Sequence, residues 1–109
     1  MTEAAPSAVA VTLTLAPALE ERIIDWLLAR QDVETFTGYT AYAHAATSGD
    51  LSVAEQVSGR RRRVEIRIEL HAQALDAWLA ELSAAFGGAD VSYFVAPILR
   101  SGRLHRPSS

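Results

Sequence analysis

The chain has 109 residues, half of them hydrophobic, and a formal net charge of -3 at neutral pH. This length and composition predict one folded domain with a modest core and exclude a mostly disordered protein. The chain contains no cysteine, which excludes disulfides, thiolate catalysis and sulfur-rich metal sites. Its acidic balance argues against binding to nucleic acid.

Residues 1–8 are mostly small or polar and are predicted to form a flexible N-terminus. No basic residue precedes Arg22, whereas a secretory signal begins with positive charge and continues with an apolar run. No apolar run approaches the length that crosses a bilayer. We therefore expect a cytoplasmic protein that is not itself inserted in a membrane.

The first half of the chain predicts a strand, a helix and a second strand. Residues 9–15 alternate in the manner of a half-buried strand. Pro17 suits the first turn of a helix, and the apolar side chains from Leu19 to Leu27 follow helical spacing. Residues 35–45 are rich in aromatic and β-branched side chains and predict the second strand.

The second half predicts a strand, a helix and a last strand. Residues 64–70 alternate strictly between apolar and charged side chains. Residues 75–86 carry an apolar stripe at helical spacing, and Gly87 and Gly88 are expected to end this helix in left-handed conformations. The last strand follows and is predicted to stop at Pro97.

A long loop, residues 45–59, separates the second and third predicted strands. Ser52 and Glu55 have the spacing of a helix capping box, so a short helical turn is predicted inside the loop. A loop of this length in a compact domain is usually functional or mobile.

The predicted element order is βαββαβ. This order is typical of the α+β, ferredoxin-like fold, in which a four-stranded antiparallel sheet carries two helices on one face. The other face is predicted to carry small polar side chains and a ladder of mixed charge from Glu65 to Glu69. Mixed charge on an open sheet face suits both solvent and self-association, and we expect a homo-oligomer.

Four consecutive arginines, Arg60 to Arg63, precede the alternating residues of the third strand. Strand parity places Arg60 and Arg62 on the helix side beside the long loop, and Arg61 and Arg63 on the opposite face. There Arg63 can pair with a cross-strand acid or join the charged ladder. Two interpretations stay open: a solvated strand end, or guanidinium groups that converge with the loop to hold an anion bidentately. A nucleic-acid patch is disfavoured, because it needs broader positive charge.

The three histidines are His44, His71 and His105, and none has a metal-binding spacing such as HxH or HxxxH. Two interpretations of His44 stay open: a surface or hydrogen-bonded histidine, or a contact with Glu55 across the loop that would begin a divalent-metal site, completed by His71 or His105 and suited to zinc, cobalt or nickel. No nucleophile motif or acid–base pair stands out, so we expect a protein that is not an enzyme.

The sequence also resembles a known superfamily. The βαββαβ order and the segments PALEERIIDWLL, FTGYTAYAHA, LSVAEQVSGRRRRVEIRIEL and YFVAPILRSGRL are similar to the PII superfamily of signalling proteins. The closer resemblance is to a PII-like domain family of unknown function from proteobacteria, often encoded beside heavy-metal efflux pumps. It spans residues 9–104, which we expect to form the domain, with residues 105–109 as a flexible C-terminus.

The resemblance implies a homotrimer whose sheets face inward and whose ligand pockets lie between subunits. Residues 45–59 correspond to the T-loop, the segment by which such proteins grip a partner. The expected partner contacts are Leu51, Val53, Glu55, Gln56 and Val57. The residues expected at the ligand pocket are His44, Arg60, Arg62, Gly87, Gly88, Arg103 and His105.

The chain also departs from the PII pattern. Residues 86–90, FGGAD, form a shorter loop than the one that contacts nucleotide phosphates in typical members, and they include no basic residue. His105 stands where a second phosphate-contacting arginine is usual, and residues 43–63 lack the tyrosine that is modified in typical members. We therefore expect no cofactor in the standard ATP or ADP mode. The arginines are expected to hold a nucleotide or a smaller anion differently.

The function predicted from the sequence is that of a non-enzymatic regulatory protein. A trimer senses a small anionic ligand or a nucleotide and docks through its loop on a membrane transporter, such as a heavy-metal efflux pump. The alternative is a direct divalent-metal-binding tolerance protein that uses His44 and Glu55.

Overall fold

The computed structural model describes residues 7–33, 35–44 and 60–107. The elements follow the predicted βαββαβ order, and each helix is preceded by a short 3-10 turn, Pro17–Leu19 or Ala72–Ala74. The strands and helices are β1 (Ala8–Leu15), α1 (Glu20–Leu28), β2 (Phe36–Ala43), β3 (Arg61–His71), α2 (Leu75–Phe86) and β4 (Val91–Ile98).

The strands form one antiparallel sheet in the order β2-β3-β1-β4. The two central strands, β1 and β3, pair from Ala8 opposite His71 to Leu15 opposite Val64. The last strand, β4, pairs with β1 and begins where β1 ends, with Val91 opposite Leu15. The ferredoxin-like fold predicted from the element order is therefore confirmed.

The hydrophobic core lies between one face of the sheet and both helices. On β3 the alternating apolar side chains from Val64 to Leu70 are all buried, and so are those of β1 from Val9 to Leu15. Full burial of one such side chain is worth about 1.5–3 kcal/mol. The helices contribute their own buried side chains: Leu19, at the junction into α1, Ile23 and Leu27 from α1, and Trp78 and Leu82 from α2. The predicted helical stripes are confirmed.

A cluster of aromatic and charged side chains joins the two helices. The Trp26 ring meets the Trp78 ring edge to face, with 5.6 Å between centroids. Arg30, just after α1, stacks over Trp26 at 4.5 Å from the ring centroid. It also forms a two-bond pair with Asp32, at 2.9 and 2.8 Å, and an ion pair with Glu81 of α2.

The two glycines after α2 differ from the prediction. Gly88 has the expected left-handed backbone, with φ of 87°. Gly87 does not, because its φ is -58° and its ψ is 135°. Its need for glycine is steric instead, since a Cβ atom there would lie 2.5 Å from the carbonyl oxygen of Ser83.

The strand β4 continues past Pro97, where the sequence predicted its end, and reaches Ile98. Pro97 stands opposite Val9 in the register with β1. In the described sheet β4 is an edge strand, and an edge strand tolerates the missing N–H of proline.

The sheet face away from the helices, called the open face below, is largely polar. Thr14 donates a hydrogen bond to Glu65 at 3.5 Å, and a hydrogen bond from Tyr39 to Glu65 raises the pKa of that tyrosine. Phe94, opposite Thr12 in the register, adds an aromatic ring that is 57% exposed. The predicted ladder of mixed charge therefore shares this face with two aromatic side chains.

Within the described residues, neither helix is both long and apolar enough to cross a membrane.

Candidate ligand site at the base of the 45–59 segment

The candidate site lies where the β2–β3 hairpin meets residues 45–59. The strand β3 begins at Arg61, three residues before the predicted start at Val64, and Arg61 stands opposite Ala43 of β2. Most of the arginine run therefore belongs to a paired strand. The arginine run lies at the base of the 45–59 segment. His44 directly precedes this segment in the sequence, and Arg60 directly follows it.

Arg61 and Arg63 project from the open face and converge on one carboxylate, that of Asp90. Arg63 donates to both oxygens of Asp90, from Nη1 at 2.7 Å and from Nη2 at 2.9 Å, and Arg61 Nη2 donates to Oδ2 at 2.5 Å. A further contact, 3.4 Å long, joins Arg63 Nη2 to the carbonyl oxygen of Thr14. The Arg63 side chain is only 7% exposed, and a guanidinium buried to this degree needs charged and hydrogen-bonding partners.

The main chain at the end of β1 holds Asp90 in place. The Ala16 N–H donates to the Asp90 carbonyl at 3.1 Å, next to the pairing of Leu15 with Val91. From the turn after α2, the Asp90 carboxylate thus reaches across the end of β1 to β3. Its hydrogen bonds from Arg63, and the positive charge of Arg63 and Arg61, lower its pKa.

The other two arginines lie towards the helix side of the same hairpin. The Arg60 guanidinium stacks over the Tyr42 ring at 4.2 Å from its centroid, a cation–π contact. Arg62 is exposed and stands directly opposite Tyr42 in the register, so both side chains belong to the same face. The division of the arginines by strand parity is therefore confirmed.

The seven residues predicted to line the ligand pocket do not gather in one chain. Near the base of the 45–59 segment, at the end of the sheet where β1 stops, the structure places His44, Arg60, Arg62, Gly87 and Gly88. Arg103 and His105 follow β4, which ends beside Ala8 at the other end of the sheet, and both are exposed. The intersubunit pocket implied by the resemblance therefore needs a second copy of the chain, and it stays a prediction.

The predicted partner contacts all fall in residues 45–59 and lie outside the described residues. Glu55 of the predicted His44–Glu55 metal pair also lies outside them. In the described ranges, no three histidine or carboxylate side chains gather as metal ligands.

A shallow cavity of about 490 Å³ lies at the other end of the sheet, where β1 begins and β3 ends. It contains none of the seven predicted pocket residues, and of the histidines only His71 reaches it. The lining residues are Ala8, Gln31, Asp32, Thr35, Glu69, Leu70, His71, Ala74 and Ser101.

Two residues of the site were missed in the sequence. The sequence predicts for Arg63 a cross-strand acid or a place in the charged ladder, whereas its partner Asp90 lies in the turn before β4. Tyr42 was assigned only to the second strand. The signal for Asp90 was an acid directly before β4, on the far side of β1 from the arginines. For Tyr42, it was an aromatic side chain two residues before His44.

The sheet order β2-β3-β1-β4, the helices on one face and the long connection between β2 and β3 define a protein of the ferredoxin-like α+β class. Residues 5–105 match the family described as "Protein of unknown function (DUF3240)". The chain belongs to this family. No curated protein sequence matches it.

Solved structures share the fold at low sequence identity. A DUF3240 family protein from Shewanella baltica has a TM-score of 0.73 and 17% identity, over 91% of this chain and 98% of that one. The periplasmic divalent cation tolerance protein CutA from Archaeoglobus fulgidus has a TM-score of 0.64 and 12% identity, over 88% of each chain. A putative PII-like signalling protein from Thermus thermophilus has a TM-score of 0.59 and 15% identity, over 86% of this chain and 88% of that one. At these identities the likeness is one of fold.

Proposed function

We propose that this chain is a non-enzymatic signalling protein that forms a cytoplasmic homotrimer and senses a small anionic ligand or a nucleotide. The observation that carries the proposal is the contact of Arg61 and Arg63 with Asp90. It ties the strand that follows residues 45–59 to the turn after α2, and the resemblance to PII proteins assigns the ligand pocket to the base of this segment, to that turn and to the C-terminal segment.

A ligand bound at this base can act as a switch. If it binds one arrangement of the 45–59 segment more tightly than another, it shifts the population towards that arrangement by its difference in affinity. The adjoining groups that favour an anionic ligand are Arg60 and Arg62, and Tyr42 adds an aromatic surface that is 49% exposed.

The 45–59 segment is the proposed contact with a membrane transporter. It offers apolar side chains at Leu51, Val53 and Val57, together with the polar Glu55 and Gln56. A heavy-metal efflux pump is the proposed transporter, since the sequence resembles a family that is often encoded beside such pumps.

A pulldown tests whether the chain binds a membrane transporter through residues 45–59. The purified chain is the bait, and the captured membrane protein is identified. A variant with Leu51, Val53 and Val57 changed to serine should lose the captured transporter, whereas a control with Ser48, Ser52 and Ser58 changed to alanine should keep it. Equal capture by both variants contradicts docking through the segment.

Titration calorimetry tests ligand sensing. The probes are ATP, ADP, cyclic nucleotides and bicarbonate, each added to the wild-type protein and to Arg62→Ala. We expect heat from at least one probe and weaker binding by the variant. Absence of heat from every probe, or equal binding by the variant, removes the sensing role assigned to Arg62.

A direct metal-binding role is the second candidate, favoured by the structural likeness to a protein described as a divalent cation tolerance protein. The proposed ligands are His44 and Glu55, with His71 or His105. Titration with zinc, cobalt and nickel should then give stoichiometric binding that His44→Ala loses. Retention of that binding by the variant rejects His44 as a ligand.

A further inference from the structure

Two of the four guanidinium groups at the candidate site already hold an anion, and that anion is part of the chain. Three hydrogen bonds from Arg61 and Arg63 end on the two Asp90 oxygens, at 2.5, 2.7 and 2.9 Å. Two parallel bonds from one guanidinium to a carboxylate form the same fork by which arginine binds phosphate. The Asp90 carboxylate thus stands where the oxyanion of a ligand would bind.

The two segments that flank the Asp90 contact, residues 45–59 and 87–90, supply no cation to replace the two that are occupied. Residues 45–59 contain no lysine, arginine or histidine and carry the acids Asp50 and Glu55. Residues 87–90 are also without a basic side chain. A ligand that approached the open face here would meet a carboxylate 46% exposed in front of a guanidinium that is almost completely buried.

From this arrangement we infer that Asp90 determines the charge class of the ligand. It fills the oxyanion position between Arg61 and Arg63, so a ligand is held through a single oxyanion group (carboxylate, bicarbonate or phosphate monoester) on the face that carries Arg62. A polyphosphate chain is rejected on the open face, because the Asp90 carboxylate already occupies the guanidinium groups of Arg61 and Arg63 there and repels further negative charge. This inference rests on the proposed sensing function and narrows its ligand.

Asp90 is held in place from two sides, so its carboxylate stays between Arg61 and Arg63. Its backbone is hydrogen-bonded to Ala16, and the Arg63 fork holds its carboxylate from the other side. The same pairing lowers the pKa of Asp90, so the carboxylate keeps its negative charge throughout the neutral range.

The test compares Asp90→Asn with wild type and with the matched control Asp32→Asn. Asp32 also forms a two-bond pair with one arginine, Arg30, and its replacement removes the same charge away from the site. Binding of inorganic tripolyphosphate and of orthophosphate is measured by titration calorimetry at constant ionic strength. We expect Asp90→Asn to bind tripolyphosphate at least about tenfold more tightly than wild type, with Asp32→Asn unchanged.

Three outcomes overturn the inference: no gain in Asp90→Asn, an equal gain in Asp32→Asn, or wild-type protein that already binds tripolyphosphate more tightly than orthophosphate. Circular dichroism and thermal melts verify folding. Asp90→Ser keeps a small hydrogen-bond acceptor without charge and serves as a second neutral variant if the asparagine protein does not fold. A folded variant should also be stabilised by tripolyphosphate more than wild type is.

Failure of the proposed sensing function can be distinguished from failure of the inference about Asp90. If wild type responds to no small anion and captures no transporter, the sensing role fails. The tripolyphosphate comparison still decides what Asp90 does, because it uses a defined probe and a gain of binding.

Discussion

Two arginine–aspartate pairs in this molecule each have two hydrogen bonds, through Nε and Nη2 of Arg30 and through Nη1 and Nη2 of Arg63, but they have very different surroundings. Arg30 and Asp32 are two residues apart in the chain and join the end of α1 to the segment before β2. Arg63 and Asp90 are 27 residues apart and connect the edge of one strand to the turn before another. The Arg63 side chain is also the more deeply buried of the two arginines. Because each pair has two hydrogen bonds, we expect the difference in burial and in chain separation to determine how much each pair contributes to the free energy of unfolding.

The largest expected effect is that of Asp90→Ala. It leaves the buried Arg63 guanidinium without its anionic partner, which costs several kcal/mol where both charges are buried. Because Asp90 is itself half exposed, we expect a loss of about 2–3 kcal/mol in the free energy of unfolding. Urea denaturation measures it. A loss below that of Asp32→Ala would contradict the assignment of the stronger role to the buried pair.

Acid should remove the same contribution gradually. Because the pKa of Asp90 is lower in the folded than in the unfolded protein, its stabilisation is complete above the unfolded value of about 3.9 and declines as pH falls below it. The difference in unfolding free energy between wild type and Asp90→Asn should therefore shrink as pH falls from about 5 to about 3. Urea denaturation at each pH follows this difference, and one that stays constant over the range contradicts the linkage.

The exposed pair should matter less. We expect Asp32→Ala to lower the free energy of unfolding by no more than about 1 kcal/mol, as is usual for surface ion pairs. Salt screens such pairs, so much of the difference from wild type should vanish in about 0.5 M sodium chloride. Urea denaturation at low and high salt provides the check, and an effect that persists at high salt would place this pair with the buried one.

The smallest effect is expected from the aromatic contact on the helix side. Tyr42→Leu removes the stacking of Arg60 on the ring, which at an exposed position is worth about 0.5–1 kcal/mol. Tyr42→Phe keeps the ring and should match wild type in the same urea experiment. A larger loss in the phenylalanine variant would show that the hydroxyl group, and not the ring, is what matters.

The elements that were predictable from the sequence are those with a periodic pattern of apolar side chains. The alternation of residues 64–70 and the helical stripe of residues 75–86 come from burial on one side of each element, and both are confirmed. The three strand residues before Val64 escaped the prediction because arginines give no hydrophobic signal, although pairing with β2 holds them in the sheet. Strand ends depend on partners that a local pattern does not contain.

The candidate site was only partly predictable for the same reason. The alternation of side chains along β3 was enough to predict that Arg61 and Arg63 lie on the opposite sheet face from Arg60 and Arg62. That they meet Asp90 follows from the strand order β3-β1-β4, which brings the turn before β4 next to them. Gly87 and Gly88 are identical letters in the sequence, yet one is required by a neighbouring carbonyl oxygen and the other by its backbone angle. Arg103 and His105 lie after β4, at the other end of the sheet, and the predicted meeting of these residues with the rest of the pocket requires a second copy of the chain.

The tight approach of Gly87 to Ser83 has an evolutionary consequence. A single methyl group at position 87 would collide with the carbonyl oxygen of Ser83 and push the following turn away from β1. Asp90 would then move off its arginines without itself being mutated. A substitution at this uncharged glycine would thus leave the guanidinium groups of Arg61 and Arg63 without their carboxylate and open them to phosphate.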